Sequence, residues 1–237
     1  MDTWSMASCV VTLVALAGPS PAAKDKDGFV SMFNGKDLTG WQGKEGAWSV
    51  VDGAITGEST PQRPCPRSHY LYWKGGQPGD FILRCKIKLV GGNSGVQFRS
   101  KARANFDTFG YQADFDAAHR YTGALYQHAR GLVVNRGFRA EIAEDGNAST
   151  KRFADPKELA RKVHDKDWND YELTAVGPKI TLRINRVLMS EAVDHHKKHA
   201  LKKGIIALQM HQGPPMRVQF KDLRIKILDK NKAGGKK

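Results

Sequence analysis

Phe81-Ile82-Leu83-Arg84-Cys85-Lys86-Ile87-Lys88-Leu89, then Gly91-Gly92, then Gly95-Val96-Gln97-Phe98-Arg99, is the stretch that decides the fold. Successive side chains of an extended strand point to opposite faces, so Phe81, Leu83, Ile87 and Leu89 share an apolar face, with Cys85 in phase as a core thiol. After the glycine pair the alternation resumes, with Val96 and Phe98 on one side and Gln97 and Arg99 on the other. Run, turn and run is the pattern of antiparallel pairing.

Working outward, the same rhythm recurs. Gly35, Gly40, Gly43, Gly46, Gly53 and Gly57 punctuate the chain before it, and period-2 runs cover 47–51, 111–116, 138–143, 171–176, 180–184, 204–210 and 218–227. Many short strands at turn-separated intervals predict an all-β sandwich or barrel, and the lack of regular alternation with helices argues against a doubly wound parallel sheet. One helix is expected: Asp155 as N-cap, Pro156 at the first helical position, Glu158 two further on, and Leu159 and Val163 four apart on one face. Leu132-Val133-Val134, flanked by Arg130-Gly131 and Arg136-Gly137, reads as a surface loop that could rim a cleft.

The termini look different. Residues 7–17 are apolar but too short to span a bilayer, and Gly18-Pro19-Ser20-Pro21-Ala22-Ala23 follows with small-residue cleavage options, so 1–23 is expected to be a signal peptide and the protein secreted or periplasmic. One domain is expected over 28–229, ahead of a disordered basic tail at 230–237. The 38 Lys plus Arg against 24 Asp plus Glu give +14, or +15 once residues 1–23 and their single acid, Asp2, are removed. That charge raises a polyanion as partner. The basic residues are spread along the chain and the start points out of the cytoplasm, so the expectation is weak association with anionic envelope polymers rather than nucleic acid. Cys65 lies between two prolines, and a Cys65–Cys85 disulfide is left open.

Three strands carry hydrogen-bonding side chains at spacing two: Gln97 and Arg99; Gln112, Asp114 and Asp116; and Gln209 and His211. If those faces adjoin they form a polar cleft suited to sugar hydroxyls, with Tyr111, Tyr126 or Trp73 to cover a ring. The plain alternative is the solvated outer face of a sandwich. His195, His196 and His199 sit among four lysines and read as a solvated loop rather than a metal site. No phosphate-binding glycine loop, serine nucleophile elbow or zinc-type cysteine spacing is present.

These residues carry a resemblance. Phe33-Asn34-Gly35-Lys36-Asp37-Leu38-Thr39-Gly40-Trp41 and Trp48-Ser49-Val50-Val51-Asp52-Gly53 resemble the opening of the 3-keto-disaccharide hydrolase domain. Gly92-Asn93-Ser94-Gly95-Val96-Gln97-Phe98-Arg99, Gly110-Tyr111-Gln112-Ala113-Asp114, Gly123-Ala124-Leu125-Tyr126 and Gly204 to His211 continue it in order, over about 28–228. The resemblance implies a concanavalin A-like jelly-roll β-sandwich, here with one short surface helix, that acts on glycosides oxidised to a ketone at C3. Many members read Gly-Tyr-Glu-x-Gln where this chain has Gly110-Tyr111-Gln112-Ala113-Asp114, so a Glu role at 112 does not carry over and Asp114 becomes the acid or base.

A C3 ketone acidifies the C2 proton, so a base can remove it, the enolate can expel the C1 substituent, and water can add back. The expectation casts His211 or Asp114 as base and Arg99 as enolate stabiliser. Asn93, Gln97, Gln112 and Gln209 hold hydroxyls, Tyr111 and Tyr126 serve as wall or proton donor, and Asp116 supports His211 or binds a divalent cation. The competing reading is a non-catalytic, lectin-like carbohydrate-binding module of the cell envelope, because fold alone does not decide function.

Overall fold

The computed structural model describes residues 24–228. The expected signal peptide and basic tail therefore lie outside the described residues.

Two sheets pack face to face. In the ten-stranded sheet the order is Ala148–Arg152, Phe138–Ile142, Val187–Asp194, Lys179–Ile184, Asn169–Val176, Phe81–Val90, Met216–Ile227, Ala54–Ser59 and Trp48–Val51, with Val30–Ser31 also on Met216–Ile227. In the seven-stranded sheet it is Gly131–Val134, Leu125–Gln127, Thr108–Asp116, Asn93–Ala102, Ile205–Met210, His69–Trp73 and Trp41–Gln42. Pairing is antiparallel except between Phe138–Ile142 and Val187–Asp194. This is a sandwich, one of the two forms the alternation predicted, and of the jelly-roll kind the resemblance implied. Residues 131–134, expected as a loop, form an edge strand instead, because Tyr126 and Gln127 present a free edge for Leu132 and Gly131 to pair with.

The core is the sum of the inward halves of these strands. Phe81, Leu83, Ile87 and Leu89 from one sheet meet Val96, Phe98, Leu208 and Met210 from the other. Phe81 and Phe98 touch edge to face across the gap, 6.2 Å between centroids, and Tyr171 donates from its hydroxyl to the carbonyl of Ala113 at 2.7 Å. Buried aromatic side chains of this size contribute about 1.5–3 kcal/mol each. The one α-helix among the described residues is Pro156–Ala160, where the Asp155 carboxylate accepts from the amides of Lys157 and Glu158, and Leu159 is buried. Val163 then packs beneath the turn that follows.

Cys65 and Cys85 are both free and buried, so the disulfide left open by the sequence is not formed. No helix among the described residues is long and apolar enough to cross a membrane.

Candidate functional site

The face of the seven-stranded sheet that points away from the core is polar. The register places Gln97 opposite Gln112, Gly95 opposite Asp114, and Gln209 opposite Tyr70. Their long side chains lie along the sheet and bond laterally. The Gln112 amide nitrogen donates to Asp114 at 2.6 Å and to Gln209 at 2.9 Å, while its oxygen accepts from Gln97 at 2.8 Å. The Gln209 amide nitrogen donates to the Tyr70 hydroxyl at 3.0 Å, and Ser100 donates to the Gln97 oxygen at 2.7 Å. Every polar atom of Gln112 is satisfied, which fixes which end of the amide faces Asp114.

Asp114 is 6% exposed and has no cation in hydrogen-bond contact among the described residues. Burial pushes its carboxyl up to about 7, against a lowering by the Gln112 hydrogen bond and a small raising by Asp116. A carboxyl that titrates near neutrality can both take and return a proton. Gly95 leaves the position between Asp114 and Gln209 without a side chain. A Cβ there would overlap the Ala113 carbonyl and stand 3.1 Å from Gln112 Cγ.

Several expected partners are elsewhere. Arg99 was placed beside Gln97 by strict alternation, but its φ of 45° begins a bulge in which Arg99 and Ser100 together face Gly110. The guanidinium turns to the end of the sandwich, donating to the carbonyls of Gly79 and Gly177 at 2.8 Å and pairing with Asp80 at 3.1 Å. Tyr111 points inward, stacks on Phe98 at 5.4 Å and donates to Asp194 at 2.5 Å. Asp194 also accepts from Arg130. Trp73 packs against the core.

Asp116 holds a turn: it accepts from the amides of Arg120, Tyr121 and Thr122 at 3.0, 2.7 and 2.6 Å. With both oxygens so engaged it does not fit a cation site. No group of three His, Cys, Asp or Glu side chains among the described residues is arranged to hold a metal. Asn93 is half-buried opposite Asp116, Tyr126 is half-buried opposite Gln112, and half-buried His211 follows the Ile205–Met210 strand with its Nδ1 2.5 Å from the Gln212 carbonyl. Asp114, Gln97, Gln112 and Gln209 are therefore united, with Asn93, Tyr126 and His211 at the edges of the same sheet region.

Two residues belong to the face that alternation alone did not single out. Tyr70 and Tyr72 flank Leu71 in a strand that is apolar on both sides, and with Ala207 they form a small cluster on which Phe106 packs. Their signal was the tyrosine hydroxyls at spacing two.

The family described as the 3-keto-alpha-glucoside-1,2-lyase-like domain matches residues 28–226. The chain belongs to that family. Membership ties this lyase-like domain to carbohydrate chemistry. Among solved structures it is similar to a candidate glycosyl hydrolase from Parabacteroides distasonis, at TM-score 0.57 and 16% identity over 84% of this chain and 99% of that one. It is also similar to the carbohydrate-binding module CBM66 from Bacillus subtilis, at TM-score 0.53 and 14% identity over 81% and 98%. A protein of unknown function with a galectin-like fold, again from Bacillus subtilis, aligns at TM-score 0.51 and 11% identity over 80% and 90%. At these identities the likeness is one of fold. No curated protein matches the chain.

Proposed function

We propose that the lyase-like domain cleaves 3-keto-glycosides at the polar face of its seven-stranded sheet, with Asp114 as the base. The observation that carries this is a buried carboxyl near neutral pKa, oriented by a saturated amide network on the polar side of the sheet that faces away from the core. Asp114 takes the proton from C2, the C2–H electrons form the C1–C2 double bond through the enolate, and the C1–O bond breaks as the aglycone leaves with its oxygen. Addition of water across the double bond completes hydrolysis. With Arg99 turned away, polarisation of the ketone falls to neutral donors, the Gln209 amide and the Tyr70 hydroxyl, and His211, two residues beyond Gln209, is the candidate to protonate the leaving oxygen. The same proposal puts the protein outside the cytoplasm, on the strength of the apolar run at 7–17.

The test is a 3-keto-glucoside carrying deuterium at C2. Release of the aglycone with a primary isotope effect, lost in Asp114→Asn, supports the proposal, and release by Asp114→Asn at the parent rate overturns the assignment. The second reading, a non-catalytic binding module, is favoured by the position of Arg99, the expected enolate stabiliser, which is turned away to Asp80. It predicts saturable binding of the same compound with no release.

A further inference from the structure

The opposite side of the molecule carries a different chemistry. Arg84, Lys86 and Lys88 point outward from Phe81–Val90, and Lys221, Arg224 and Lys226 point outward from the adjacent strand Met216–Ile227. The register sets Lys86 directly against Lys221, and Arg84 directly against Arg224. Like charges facing each other across an antiparallel pair are destabilising, so two successive rows of them work against the fold.

Aromatic side chains hold these cations in place. Lys88 and Lys221 both lie over the Trp168 ring, at 4.9 and 4.2 Å, and Arg84 and Arg224 both lie over Phe29, at 4.7 and 5.4 Å. Glu172 pairs with Arg84 and Asp170 with Lys86. Lys88, Lys221, Lys226, Arg183 and Arg186 have no ion pair among the described residues. An open groove of about 570 Å³ is lined by Arg84, Arg183, Arg186 and Arg224 and by the carboxylates of Asp170, Glu172 and Asp222.

We propose that this face docks a carboxylated polysaccharide of the polyuronate type, at a site separate from Asp114 and independent of the reaction proposed there. The groove already seats carboxylates, those of Glu172 and Asp170, on its own cations, and planar guanidinium groups match carboxylates in a two-pronged geometry. Single-stranded nucleic acid is disfavoured because stacking of its bases needs an open ring face, and those of Trp168 and Phe29 are occupied by cations; duplex DNA is left to the test. Rows of cations about 6.6–6.8 Å apart along a strand, two strands wide, give a rigid track for an extended chain of negative charges.

The test measures binding of the full protein to polygalacturonate, dextran, duplex DNA and phosphatidylglycerol vesicles at increasing salt. Expected are binding to polygalacturonate that weakens steeply with salt and none to dextran. The triple variant Lys88→Gln, Lys221→Gln, Lys226→Gln should bind about tenfold more weakly or worse with an unchanged or higher melting temperature. The charge-matched variant Lys36→Gln, Lys202→Gln, Lys203→Gln should bind as the parent does. Equal losses in both triples would assign the effect to net charge and overturn the face. Tighter binding to DNA or vesicles than to polygalacturonate would overturn the partner.

Discussion

Asp114, on the seven-stranded sheet, and Asp194, at the end of a strand of the ten-stranded one, are both almost inaccessible, 6% and 3% exposed, yet they are opposite in character. Burial raises each. At Asp194 the hydrogen bonds from Arg130, Tyr111 and the His196 amide outweigh it and hold the carboxyl below its usual range. At Asp114 only the Gln112 amide opposes burial, and the group rises to about 7. The difference is a guanidinium. With one, a buried carboxylate is a structural clamp; without one, it is a proton acceptor available for chemistry.

The comparison is broken most directly at Asp114. Asp114→Asn should lower turnover of a 3-keto-glycoside by about 10²–10⁴, the range for loss of a general base, and parent-like rates would remove the contrast. Its stability should move the other way. A carboxyl whose folded pKa lies above its unfolded one costs stability as pH rises from about 4, and the full cost is present above about 7. The variant should therefore gain melting temperature on the parent between pH 4 and pH 7 and keep a constant lead above. On the other side, Arg130→Met leaves Asp194 buried without its cation and should cost about 3–5 kcal/mol in denaturant unfolding, with turnover per folded molecule unchanged.

Smaller changes sharpen the same contrast. Gly110→Ala drives a methyl group into Ser100, whose Cα would stand 2.6 Å away, and should cost about 1–3 kcal/mol while disturbing the bulge that keeps Arg99 with Asp80. Gln112→Ala removes the one donor that lowers the Asp114 pKa. The midpoint of the pH–rate profile should move upward from about 7, with a loss of roughly 1 kcal/mol in stability. A midpoint that stays in place would detach the amide network from the carboxyl.

Much of the fold was legible because most strands alternate cleanly, and the strand over 81–90 and the turn after it show the rule without exception. His69–Trp73 was not, since both its faces are largely covered and the alternation that marks a half-exposed strand is erased. Of the site, the amides and Asp114 could be read from spacing, because they lie on regular strand. Arg99 could not, since one residue of left-handed backbone breaks the parity on which spacing arguments rest. Tyr111 lies in the core rather than on a sugar wall, because it is in phase with Ala113 and Phe115, which also point inward.

That bulge has a chemical consequence beyond the position of one side chain. In an unbroken strand the row containing Gln97 would continue with a guanidinium two residues on, on the same side as Asp114. A permanent positive charge on that side would favour the ionised carboxylate and lower its affinity for a carbon-bound proton. By sending Arg99 out of register to Asp80, the chain sets the proton affinity of a residue it never touches.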